Sequence, residues 1–131
     1  MASQNRPTVP AVLAGMEQIA RGIVLAIAVA IAVVTLGPIS YRPVTGTPPD
    51  VERAFAFALL GGAIALAWPK PRKLILGTLL AVIFAALLEE GQNFVPGRDG
   101  RVHDFVIKAL AVILGSTAVW VLRRMRRRPR Y

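Results

Sequence analysis

The chain has 131 residues, 55% of them hydrophobic, and sixteen lysines and arginines against seven acids, for a net charge of +9. This length accommodates one domain, and the absence of cysteine excludes a disulfide framework, a thiolate metal site and a cysteine nucleophile. Six of the sixteen basic residues, Arg123, Arg124, Arg126, Arg127, Arg128 and Arg130, crowd the end of the chain directly after an apolar run. That pattern marks a cytoplasmic anchor on anionic lipid rather than a nucleic-acid arm.

From the N-terminus, residues 1–10 are polar and read as a cytoplasmic lead. Val12, Leu13, Met16 and Ile19 then share one helical face, with Glu17, Gln18 and Arg21 opposite. They predict a short amphipathic segment lying along the interface before the chain enters the bilayer. A first span is expected over 22–36, stopped by Gly37-Pro38. A secretory leader shares the basic start and apolar core, but no small-x-small cleavage site follows Leu36, so an uncleaved helix is expected. An irregular Pro- and Thr-rich loop over 39–50 leads to a second span over 51–68. The basic turn of Lys70, Arg72 and Lys73 precedes a third span over 74–90. Pro96-Gly97-Arg98-Asp99-Gly100 marks a tight connection, after which Asp104 is placed to N-cap a fourth span over 104–122. The predicted fold is all-α: a polytopic membrane domain over 11–122 with a basic tail over 123–131, located in the cell inner membrane.

The strictly apolar cores of spans two to four hold only about 15 residues, or about 22 Å of helix, against a hydrocarbon core of about 30 Å. Each helix must therefore include a charged turn: Glu52-Arg53, Glu89-Glu90, and Asp104 with Lys108. In a four-span chain all three turns fall on the same side of the bilayer. Placing both termini in the cytoplasm puts Arg6, Arg21, Lys70, Arg72, Lys73 and the arginine tail inside. Arg42, Arg53, Arg98 and Arg101 then lie outside, an asymmetry that satisfies the positive-inside rule. Small residues at four-residue spacing supply a close-packing stripe on each of three helices: Ala54, Ala58 and Gly62; Gly77, Ala81 and Ala85; Ala111 and Gly115. Trp68 and Trp120 sit where an aromatic belt is expected at the cytoplasmic interface.

Glu89 and Gln92 are three residues apart and face the same way on a helix. A hairpin between spans three and four brings them near Arg98 and Asp104. Ionisable groups at membrane depth cost about 2.5–3.5 kcal/mol on insertion scales, so these residues are ligand-binding candidates. The alternative is a set of interfacial caps, with Glu89 and Glu90 solvated, Asp104 capping its helix and Arg98 serving the turn. Arg98 is the expected partner of Asp104, and Lys108, one turn along the same face, a second partner.

The order Glu89-x-x-Gln92, Pro96-Gly97-Arg98, Asp104 and then Gly115 resembles the VanZ-like family. So does the opening of the second helix, Glu52-Arg53-Ala54-Phe55-Ala56-Phe57; the resemblance covers about residues 23–120. Lys108 stands where that family commonly has Asn, and Arg53 near where many members have His. The resemblance implies a four-helix integral membrane protein in which Glu89, Gln92, Arg98 and Asp104 are the functional candidates. Founding members are linked to low-level teicoplanin resistance, and no reaction is established for the family.

The expected function is therefore an outward-facing polar site that binds a cell-envelope lipid or glycopeptide-type ligand. An accessory subunit of a larger respiratory or photosynthetic membrane complex is the alternative. No catalytic residue is assigned, because no general base with a water path is legible. No cofactor is expected either, since phosphate loops, Ser-His-Asp order and dinucleotide fingerprints are lacking. Glu89, Glu90, Asp99 and Asp104 could offer oxygen ligands, but they lack calcium-loop spacing, and no metal is assigned. The expected partners are anionic lipids at the tail, with no nucleic acid.

Overall fold

The computed structural model describes residues 6–38, 40 and 44–128. It is all-helical: α1 (Val9–Leu36), α2 (Pro49–Ala67), α3 (Pro71–Gln92) and α4 (Val102–Arg126), with no strand among the described residues. Proline punctuates the chain. Pro10, Pro49 and Pro71 occupy the first turns of α1, α2 and α3, where a missing N–H costs nothing. Pro38 and Pro69 force the preceding Gly37 and Trp68 out of helical geometry, ending α1 and α2.

Helix α1 departs from the expected interfacial segment followed by a separate span. Its 28 residues form one uninterrupted helix of about 42 Å. Gly22 is the sole candidate breaker between Ile19 and the apolar run, and a lone glycine weakens a helix by only about 1 kcal/mol relative to alanine. Arg21 stacks over Trp68, 5.7 Å from the ring centroid, so the turns before it project past the end of α2. Val12, Leu13, Met16 and Ile19 are exposed on that projection.

The contacts fix the helix directions. Along α2 and α4, Arg53 meets Asp104, Ala58 meets Gly115, and Arg123 reaches the Ala65 and Leu66 carbonyls. Numbers rise together, so α2 and α4 are parallel. Gly91 against Leu36 and Gly77 against Ile64 make α1 and α3 parallel to each other and antiparallel to α2. This is the up-down alternation that short connections produce.

Helix α2 is the central element, with eight buried residues from Phe57 to Ala67, and its most extensive contact is with α4. Glycines set that spacing. A Cβ on Gly61 would lie 2.2 Å from the Val112 carbonyl oxygen, and one on Gly115 would lie 2.2 Å from the Ala58 carbonyl oxygen. Gly62 faces the Val119 side chain, Ala111 is buried, and Ala54 and Ala58 pack against the core. On α3, a Gly77 Cβ would meet Ile64, while Ala81 and Ala85 are buried. Close backbone approach of this kind maximises dispersion where lipid supplies no hydrophobic drive.

Three helices, α1, α3 and α4, are long and apolar enough to cross a membrane. Helix α2 differs by carrying Asp50, Glu52 and Arg53 at its start. Arg123 closes the opposite end, donating Nη1 to the Ala65 and Leu66 carbonyls at 3.2 Å each and satisfying two of the unpaired acceptors that end α2. Helix α4 continues to Arg126, so Arg123, Arg124 and Arg126 are helical rather than part of a separate tail, and Arg124 stacks on Trp120 at 5.1 Å. Arg130 and Arg42 lie outside the described residues, as do residues 1–5 of the lead.

Candidate functional site

The charged turns of α2, α3 and α4 meet at one end of the bundle. Glu89, on the last turns of α3, is buried. Its Oε1 accepts the Arg101 backbone N–H at 2.8 Å, and its Oε2 is held by Lys108 Nζ from α4. Lys108 is 1% exposed, and its ammonium also lies 5.8 Å from the Phe57 ring centroid, so two helices and an aromatic face enclose this ion pair.

The connection between α3 and α4 is shaped to reach Glu89. Gly97 turns the chain with φ 78°. Gly100 then passes so close that a Cβ there would lie 2.2 Å from the Glu89 carbonyl oxygen. Its N–H donates to Asn93 Oδ1 at 2.9 Å. These contacts deliver the next N–H, that of Arg101, to the carboxylate.

The pairing differs from the expected one at Asp104, Arg98 and Lys108. Asp104 does not cap α4: Arg101 is the N-cap and Asp104 lies in the first turn, buried. Its partner is Arg53, whose Nη1 is 3.1 Å from Asp104 Oδ1 and 3.2 Å from Asp50 Oδ1. Neither Arg98 nor Lys108 is bonded to Asp104. Sequence spacing favours neighbours one turn apart, whereas parallel packing of α2 on α4 delivers Arg53 from the side. Arg53 and the Gly100 contact were thus not assigned a site role from sequence. Glu90 is exposed while Glu89 is buried, so the two acids divide between the solvated and the buried environment.

Arg98 reaches away from the acids. Its Nη2 donates to the Val34 carbonyl of α1 at 3.1 Å, and its Nε is buried without a partner. Gln92 is 6% exposed, and no described residue holds its side-chain amide. Both line a cleft of about 600 Å³ between α1 and α2, together with Lys108, Arg53 and Glu52. Below these polar groups the walls are apolar: Ile27, Ala30, Ile31 and Val34 from α1, Phe55, Ala56 and Leu59 from α2. Phe55 and Leu59 are largely exposed, so the cleft opens on the bundle's flank.

The candidates from sequence therefore separate. Gln92, Arg98 and Lys108 line the cleft, while Glu89 and Asp104 hold two of the cations behind or beside it. Asp50, His103 and Asp104 bring ligand atoms within 4.8 Å of one another. The Arg53 guanidinium bridges the two carboxylates and offsets one of their two charges. His103 is exposed, with Nε2 3.6 Å from Asp50 Oδ2. No protein-family model, curated protein or solved structure matches the chain.

Proposed function

We propose that the chain is a four-span protein of the inner membrane, VanZ-like in character, with both ends cytoplasmic and the polar end facing outward. In this reading the cleft between α1 and α2 binds a cell-envelope amphiphile, a lipid or a glycopeptide-type molecule. The parallel packing of α2 and α4 supports the fourth span: from Arg53 beside Asp104 to Leu66 beside Arg123, α2 runs along a helix that is itself long and apolar enough to cross. The charges at its start are no obstacle, because Arg53 has two carboxylate partners at the end of the bundle.

The cleft carries the functional reading. A polar rim over apolar walls, open on the flank, matches a molecule with a polar head and an apolar tail, and about 600 Å³ lies within the usual range of ligand pockets. Protein purified in a mild detergent is expected to retain about one amphiphile per chain, identified by extraction and mass spectrometry. Ala30→Trp fills the cleft from the α1 side and should remove it. An empty wild-type cleft, or equal retention by the variant, would contradict the reading. The accessory-subunit alternative draws on the exposed stripe Val12, Leu13, Met16 and Ile19 projecting beyond α2. Co-purification of a large complex through that stripe, with nothing in the cleft, would favour it.

A further inference from the structure

We infer that the ligand of this cleft is an acyl lipid with an anionic phosphate headgroup, and that Arg98 is the residue that selects the anion. The inference rests on the amphiphile-site reading and adds the sign and chemistry of the head. Four charged groups line the cleft: Glu52, Arg53, Arg98 and Lys108. Arg53 is matched by Asp50 and Asp104, and Lys108 by Glu89. Glu52 accepts from the Thr45 hydroxyl, beside Thr47 on the same rim. Arg98 has no carboxylate partner among the described residues. Its guanidinium commits Nη2 to the Val34 carbonyl, while its Nε is buried with no acceptor.

An orphaned guanidinium donor in a low-dielectric setting is unfavourable until an acceptor arrives, and an anion satisfies both the hydrogen bond and the charge. Arginine presents several donors in one plane, which suits phosphate oxygens. The unheld Gln92 amide lines the same cleft and adds neutral donors and an acceptor for the ester or glycerol part of a head. Neutral Ile31, Val34 and Phe55 leave the tail no polar partner, as an acyl chain requires. Because Arg98 is tied to the end of α1 and Phe55 and Leu59 are exposed at the opening, a lipid reaches the site sideways, from the leaflet that holds its head.

The test uses full-length protein carrying Arg126→Gln, Arg127→Gln and Arg128→Gln, which removes competing anionic-lipid sites at the other end. Native mass spectrometry would follow binding of phosphatidylglycerol, of phosphatidylcholine with the same chains, and of glycerol phosphate. One phosphatidylglycerol should bind at least tenfold more tightly than phosphatidylcholine, and glycerol phosphate should not compete. Arg98→Gln should weaken phosphatidylglycerol about 10- to 100-fold, the loss of one charged hydrogen-bonded contact, and leave phosphatidylcholine unchanged. Arg98→Lys should retain part of the preference. If Arg98→Gln does not fold, Ala30→Trp keeps the Arg98 contact to Val34 and should still abolish phosphatidylglycerol binding. Equal binding of the two lipids would overturn the headgroup inference while leaving an amphiphile site intact. Undiminished phosphatidylglycerol binding by Arg98→Gln, or by Ala30→Trp, would place the anion elsewhere. Glycerol phosphate binding as tightly as the lipid would make this a free-anion site and remove the acyl chain from it. No binding of any lipid would sink both readings.

Discussion

Lys108→Met is expected to destabilise the protein in detergent by about 3–5 kcal/mol, the cost of removing one member of a buried ion pair. The Glu89 carboxylate would keep the Arg101 N–H and lose its counter-charge between two packed helices. Glu89→Gln should also be destabilising, because the Lys108 ammonium, 1% exposed, would face a neutral amide. The decisive comparison is the double variant Glu89→Leu with Lys108→Met. Replacing a buried pair by apolar groups of similar size is often neutral, so the stability lost with the ion pair should return, short of the hydrogen bond that the Arg101 N–H loses with Glu89. Thermal denaturation of the single and double variants measures this as a coupling energy. If each single substitution were silent, the pair would be solvated and the polar end open to water.

Gly61→Val and Gly115→Val should each disrupt the contact between α2 and α4. A Cβ at either position would sit 2.2 Å from a backbone carbonyl oxygen, which no side-chain rotation relieves. Overpacking costs about 1–3 kcal/mol when the surroundings adjust. Here the adjustment is a parting of two backbones, which also stretches the Arg53–Asp104 pair at one end and the Arg123 contacts at the other. Each variant should therefore lie at or above the upper end of that range and lower the yield of folded protein. Gly15→Ala and Gly22→Ala on α1 provide the contrast. Nothing lies within 4 Å of either added Cβ, so both should be neutral or slightly stabilising through helix propensity. Gel-filtration profiles and melting curves of the four variants separate the cases. A Gly115→Val protein as stable as wild type would mean that α2 and α4 do not touch there.

Local signals carried the helices well. Gly37-Pro38 and Pro69 end α1 and α2 within a residue of the expected stops, whereas α2 and α3 begin at Pro49 and Pro71, ahead of the expected 51 and 74, and α1 begins at Val9 rather than 22. Segregated charge also placed Glu52-Arg53, Glu89 and Asp104 at a common end, where they meet. Pairing was not legible. Asp104 and Lys108 are one turn apart, so spacing proposes them to each other, yet each is taken by a residue from another helix. That choice depends on helix directions and rotations, which no local pattern encodes. Gly61 escaped for a similar reason: a four-residue stripe through Ala58 passes to Gly62, while the close approach uses the neighbouring glycine. The cleft as a whole has no linear signature, although Gln92, Arg98 and Lys108 on it were candidates, because its walls come from α1 and α2 and its rim also from the end of α3, the turn after it and α4.

The proposed site faces outward only if the helices cross a bilayer with the polar end outside, and the absence of cysteine makes that directly measurable. Single cysteines at Lys70, Asp99 and Arg127, all exposed, would be treated with a membrane-impermeant maleimide in intact cells and again after lysis. Asp99→Cys, in the turn beside Arg98, should be labelled in intact cells. Lys70→Cys and Arg127→Cys, at the opposite end, should be labelled only after lysis. Labelling of Arg127→Cys and Asp99→Cys from the same side would contradict the four-span arrangement and, with it, an outward-facing site.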